Sequence, residues 1–186
     1  MVKHSEKELA YKEPKGFQAD FSGNKAIEDM THSNEGNVVL GFTSSNFLML
    51  DSDDQIEYYV LEFANEYGKF HKLGSHIVLR TSKSTKTDLF GNRLGNYAII
   101  FGKPIMWSEV QWHIKEVLRL GAINRAFAKL RDFGTITIRV NFKNKKIPPP
   151  EVIRFCNNGE MTGIVAYIKH KNTCEGLGES WLQKSN

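Results

Sequence analysis

"NFLMLDSDDQ", residues 46–55, decides the reading of this chain: the apolar run Phe47–Leu50 passes directly into three acids within four positions, Asp51, Asp53 and Asp54. Apolar residues in a row, without alternation, read as a short strand covered on both faces. Beyond the acids, Ile56, Tyr59, Val60, Phe63, Ala64 and Tyr67 recur at helical spacing, which predicts an amphipathic helix over 54–68 that stops at Gly68. The acids therefore have two readings. In one, Ser52 or Asp53 caps the helix, Ser52 pairing with Gln55 as a capping box while the carboxylates favour the helix's positive end. In the other, Asp51 and Asp53, two apart on an extended segment, leave on the same side and hold a hard cation such as Mg²⁺ between them. Two carboxylates on one face repel one another unless a cation is present. Such a pair is the usual protein contribution to a two-metal site, where the ions bind triphosphate and activate an attacking oxygen.

Working outward, "NVVLGF" (37–42) is separated from this strand by "TSS" and is expected to pair with it as a hairpin. "HIVLRTS" (76–82) and "NYAIIFG" (96–102) read as two more strands, joined by a long basic connector, "KSTKTDLFGNRLG". "WSEVQWHIKEVLRL" (107–120) predicts a helix opened by a Ser108–Gln111 capping box and a Trp107–Trp112 hydrophobic staple. A second helical segment carries Ile123, Ala126, Phe127 and Leu130 and ends near Gly134. "TITIRVN" (135–141) alternates cleanly, with Ile136, Ile138 and Val140 on one side and Thr137, Arg139 and Asn141 on the other, so one face of this strand is polar. "EVIRFC" (151–156) and "GIVAYIK" (163–169) are expected as last strands around the turn "NNGE". The resulting order, ββαββααβββ, argues for a single α+β domain with a mixed or antiparallel sheet flanked by helices. That domain is expected over 36–170, with a polar arm at 1–35 and a tail at 171–186.

At 186 residues, 40% apolar and 25% charged, the composition suits one globular domain. No apolar run approaches the roughly 20 residues that span a bilayer, and "MVKHSEKELAYKEPKG" lacks a secretory signal's apolar stretch, so a cytoplasmic protein without a membrane partner is expected. Cys156 and Cys174 fit no metal-site spacing and read as free thiols. A net charge of +4 permits a polyanionic partner.

The succession of "NVVLGFTSSN", "FLMLDSDD", a helix, "VLRTSKS", "NYAIIFG" and "RDFGTITIRVNFK" resembles the archaeo-eukaryotic primase superfamily, especially the primase-polymerase domains of plasmids, viruses and other mobile elements. The resemblance covers residues 37–142. It implies a primase-polymerase-like fold and metal-dependent nucleotidyl transfer in DNA replication, with Mg²⁺ or Mn²⁺ as cofactor. Nucleoside triphosphates and a single-stranded DNA or RNA template are the implied ligands, and a helicase or other replication protein the implied partner. Carried over residue by residue, Asp51 and Asp53 match the metal-binding pair and Asp132 stands near the family's third acid. Arg80, Ser82 and Lys83 match the nucleotide-binding element. The histidine that the family places after that serine is replaced here by Asn96 or Tyr97, and the nearby histidine is His76. From the residues themselves, Arg139, with Lys143 in register, could reach a triphosphate or a template backbone. Lys86 and Arg93, with Lys145 and Lys146 of "KNKKIPPP", could form a cationic rim for nucleic-acid phosphates, and Phe90, Phe133 and Phe142 interleave with these cations as candidate stacking rings. Two other functions fit the same features: a non-catalytic nucleic-acid-binding module that keeps the primase fold, and a glycosyltransferase-like enzyme using "DSD" for a metal-bound sugar nucleotide.

Overall fold

Phe47 is 1% exposed and Leu48, Met49 and Leu50 are fully buried, and the computed structural model shows what covers them. It describes residues 18–21, 24–32, 38–123, 125–128, 136–140 and 148–172. The elements are β1 (Gln18–Phe21), β2 (Asn24–His32), β3 (Val38–Ser44), β4 (Phe47–Gln55), α1 (Glu57–Phe70), β5 (His76–Thr87), β6 (Arg93–Pro104), α2 (Trp107–Arg119), α3 (Arg125–Ala128), β7 (Ile136–Arg139) and β8 (Glu151–Cys156). Residues 162–172 form a further helix, α4. The strands make two antiparallel four-stranded sheets, ordered β1-β2-β3-β7 and β4-β6-β5-β8. The fold is α+β, with antiparallel sheets and helices.

Cross-strand register assigns the two faces of the second sheet. Leu50, Ile99 and Val78 lie in one row, and Ser52, Tyr97 and Arg80 in another, on the side that α1 and α2 cover. There the missing side chain of Gly68 lets α1 approach: a Cβ at that position would come within 2.9 Å of the Phe101 ring. The Tyr67 hydroxyl meets His113 Nδ1 at 2.8 Å and joins α1 to α2. Met49 with Ile100 and Ile77, and Asp51 with Ala98 and Leu79, occupy the other face. That side meets the first sheet, whose Phe42, Ile136 and Ile138 belong to the same core. In α4, Tyr167 packs edge-on against Phe42, with ring centres 5.8 Å apart.

Several elements differ from expectation. The 37–42 and 46–51 strands exist but form no hairpin, because β3 pairs with β2 and β7 while β4 pairs with β6. The chain changes sheets at Ser45–Asn46, where the Ser44 hydroxyl donates to Asn46 Oδ1 at 2.7 Å. Helix α1 starts at Glu57, after Ile56, without a side-chain cap, so the Ser52–Gln55 capping box is not formed. Gly68 lies within α1, and the chain turns instead through Lys72 and Gly74, with φ of 54° and 75°. The 83–95 connector is largely strand, since β5 and β6 extend to Thr87 and from Arg93. At α2 the N-cap is Met106, and the Glu109 carboxylate rather than Ser108 closes the first turn by accepting the Met106 N–H at 2.9 Å. Trp112 is half exposed rather than stapled. "GIVAYIK" is helical, and its buried Ile164 and Tyr167 are three residues apart on one helix face. Gln18–Phe21 and Asn24–His32 of the expected polar arm form β1 and β2, and Gly134 and Cys174 lie outside the described residues. Cys156 is a free thiol. Among the described residues no helix is long and apolar enough to cross a membrane.

The buried histidines make stability depend on acid. His76 is fully buried with neither ring nitrogen hydrogen-bonded, and burial, then Lys69 and Arg154, push its pKa from 6.5 down to about 4. His113 falls to about 4 through burial and then His71. Both folded values lie below the unfolded one, so this stability is present above pH 6.5 and is lost as pH falls towards 4. Each ring carries on the order of 3 kcal/mol across that window. Urea midpoints between pH 7 and 4 should fall accordingly, and the fall should be smaller for His76→Phe.

Candidate functional site

Helical cover over β4 ends at Ser52, which is 3% exposed and donates its hydroxyl to the Ala122 carbonyl beyond α2 at 2.6 Å. With Ser52 pinned inward, strand alternation turns Asp51 to the opposite face, and Asp53 follows within the stretch where the pairing with β6 shifts register. Asp51 is half-buried and Asp53 exposed. Asp51 stands opposite Ala98.

The third acid goes elsewhere. The pairing with β6 shifts register between Ser52 and Gln55, and there Asp54 adopts φ 54°, a left-handed conformation that a short polar side chain tolerates. Its N–H donates to Asn96 Oδ1 at 2.9 Å, and its carboxylate accepts from Ser84 Oγ at 2.8 Å and from Lys86 Nζ. Lys86 first and Ser84 second hold the Asp54 carboxyl below its ordinary 3.8. The sequence therefore carries a pair and a latch rather than three equivalent carboxylates.

Opposite the pair, Arg139 reaches from β7 across to the other sheet. Its guanidinium donates to the Thr81 carbonyl of β5 and, at 2.8 Å, to the Pro148 carbonyl. Burial pushes its pKa below the ordinary value, opposed by the nearby Tyr167 and Asp51 charges. Asp51 thus lies close enough to Arg139 for its charge to be felt there, and the charge of Asp53 is felt at Lys86.

The remaining expected residues distribute around this point. Asn96 and Ser82 are register partners on the Asp51 face, and Asn96 Nδ2 donates to Ser82 Oγ at 2.8 Å while its Oδ1 serves Asp54. Arg80 lies on the helix side, ion-paired with Glu57 of α1 and with Glu151 of β8, 3.4 Å away. It braces α1 to the sheet and does not join the acid pair. Lys83 and Arg93 are exposed along the β5–β6 hairpin. Asp132, Lys143, Lys145 and Lys146 lie outside the described residues. His76, buried under Gly68 beside Phe101, lies away from the pair.

Among the described residues no group of three or more His, Cys, Asp or Glu is placed to hold a metal ion. Two carboxylates at an open strand end nonetheless suit Mg²⁺ or Mn²⁺, since such ions take one or two carboxylates and complete their shell with water and phosphate oxygens. Sequence reasoning missed Ser84 and the Thr81 carbonyl. Ser84 had a weak signal, since it lies two residues from both Ser82 and Lys86 on an extended stretch; the carbonyl had none.

Replacing Lys86 with Met removes the main stabiliser of the ionised Asp54. In a carboxyl-carbon NMR titration the Asp54 pKa should move up towards 3.8, with Asp88, bonded within its own turn, as the unmoved reference.

No family model, no curated protein and no solved structure matches this chain.

Proposed function

We propose that the chain is a metal-dependent nucleotidyltransferase of primase-polymerase type, using nucleoside triphosphates on a single-stranded nucleic-acid template in DNA replication. The observation that carries this reading is Asp51 near the end of β4, two residues before Asp53, with Arg139 of the other sheet close enough to feel the Asp51 charge. Asp51 and Asp53 are the residues that would hold Mg²⁺ or Mn²⁺, which when bound lowers the charge on the triphosphate and favours ionisation of an attacking hydroxyl. Arg139, held by two carbonyls, supplies a fixed positive charge next to the site. Ser52, anchored to Ala122, keeps the strand from twisting the two acids apart. Exposed Lys83 and Arg93 offer cations to phosphates entering from the hairpin side.

A second reading, a nucleic-acid-binding module without catalysis, is favoured by Asn96. The resemblance expects a histidine there or nearby to bind the nucleotide, yet both ends of the Asn96 amide are engaged, with Ser82 and Asp54.

The deciding experiment is primer synthesis and primer extension with Mn²⁺ or Mg²⁺. Asp51→Asn should lower the rate at least about 100-fold, the scale of losing a main electrostatic contributor to the transition state, while the thermal midpoint is held or raised by the relieved repulsion. Equal silence of both proteins, with salt-dependent binding to single strands retained, establishes the binding module. Asp51-dependent turnover of a sugar nucleotide, with no nucleotide incorporation, establishes the glycosyltransferase-like reading.

A further inference from the structure

Beyond the body of the sheet, β5 and β6 run on as a hairpin whose tip exposes two large apolar side chains: Leu89 is 100% exposed and Phe90 88%. Exposed apolar residues at a loose tip would be unremarkable, but this turn is tightly built. The Asp88 carboxylate accepts the Phe90 and Asn92 N–H groups at 2.8 Å each and the Asn92 side-chain amide at 2.8 Å. Asp88 N–H donates to the Asn92 carbonyl, and Gly91 N–H to the Asp88 carbonyl. Gly91, at φ 82°, takes the left-handed position that the turn requires. Asp88, whose carboxyl is held below its ordinary value mainly by Asn92, is thus consumed within the turn. The stem beneath presents exposed Lys83 and Arg93, with Lys86 paired to Asp54.

The stem is also tied to the acid pair. Lys86 and Ser84 both bond Asp54, the residue after Asp53. From Lys86 to Phe90 is four residues, so at about 3.3 Å per residue the Phe90 backbone stands no more than about 13 Å from that of Lys86.

We infer that this hairpin is a strand-engaging finger: Phe90, backed by Leu89, stacks on an unpaired base of the template while the cationic stem follows the backbone phosphates. This rests on the proposed function, which supplies the nucleic acid. A π-face accepts any base, which suits a template that must be read whatever its sequence. The cations favour a polyanion over a neutral partner.

The test is fluorescence-anisotropy binding of a labelled single-stranded 30-mer to the whole chain, comparing wild type with the Leu89→Ala/Phe90→Ala double variant. The substitutions lie at an exposed tip and leave every hydrogen bond of the turn to backbone, Asp88 and Asn92, so the thermal midpoint should not move. Loss of stacking should raise Kd roughly 10- to 100-fold, with the slope of log K against log salt unchanged because no charge is altered. Mn²⁺-dependent nucleotide binding should also be unchanged. A 2-aminopurine stepped along the single-stranded template beyond the primer end should change emission at one position on binding wild type and at none on binding the variant. Equal affinity of the two proteins overturns the finger and leaves the nucleotidyltransferase intact. A wild type that binds no single strand overturns both the template and the finger, whether or not Mn²⁺-dependent nucleotide binding persists. Binding to phosphatidylserine vesicles that depends on Leu89 and Phe90, without any effect on nucleic acid, assigns the tip to a lipid surface instead.

Discussion

A strand whose side chains are all buried needs an apolar layer on each face, and Phe47–Leu50 obtain theirs from α1 and α2 on one side and from the sheet containing β3 and β7 on the other. Two layers cannot close over the same strand indefinitely without burying charge. Where the sheets diverge, β4 emerges and its acids begin. The apolar run thus ties the position of Asp51 and Asp53 to the packing of three layers, and the Ser52–Ala122 bond fixes which way each residue turns. Arg139 is the counterpart from the opposing sheet. Its bonds to Thr81 and Pro148 stitch the layers together at the same place where its charge faces Asp51.

Legibility followed the range of the interactions involved. The unalternating apolar run announced a doubly covered strand, and the clean alternation of Ile136, Ile138 and Val140 announced β7, because both patterns record burial along a single element. The partner of each strand was not legible. The "TSS" segment has hairpin composition, yet a few residues can equally carry a chain between layers, and only the distant β2 and β6 strands decide which occurs. The capping-box reading of Ser52 failed for a related reason: its acceptor lies 70 residues away. "GIVAYIK" reads as a strand by its β-branched residues, but Gly163 fits the close approach of α4 to Phe47 and the Phe101 carbonyl, a tertiary reason that overrides propensity.

At the site, the two-residue spacing of Asp51 and Asp53 is plain in the sequence, but period two orients side chains only where the strand is regular, and the pairing shifts register between Ser52 and Gln55. The fate of Asp54 was not legible, since it depends on a bulge that inserts the residue out of register with β6. Arg80 illustrates the reverse case. As a cation beside "TSKS" it resembled a phosphate ligand, but regular register with Tyr97 puts it on the helix side, where Glu57 and Glu151 take it up, and the register shift that follows it turns Ser82 to the other face.

That bulge at Asp54 also bears on how this surface can vary. A left-handed backbone disfavours β-branched side chains most and suits aspartate, asparagine and glycine best, although Lys72 takes the same φ. Of these, glycine relaxes the backbone but severs the hairpin stem, asparagine keeps a hydrogen bond but not the ion pair, and aspartate alone provides both. Backbone geometry has narrowed the alphabet at this site before any chemistry is asked of it. A conserved third acid among relatives would therefore record the mechanics of a hinge between strand and hairpin, and would be misread if it were counted as a metal ligand.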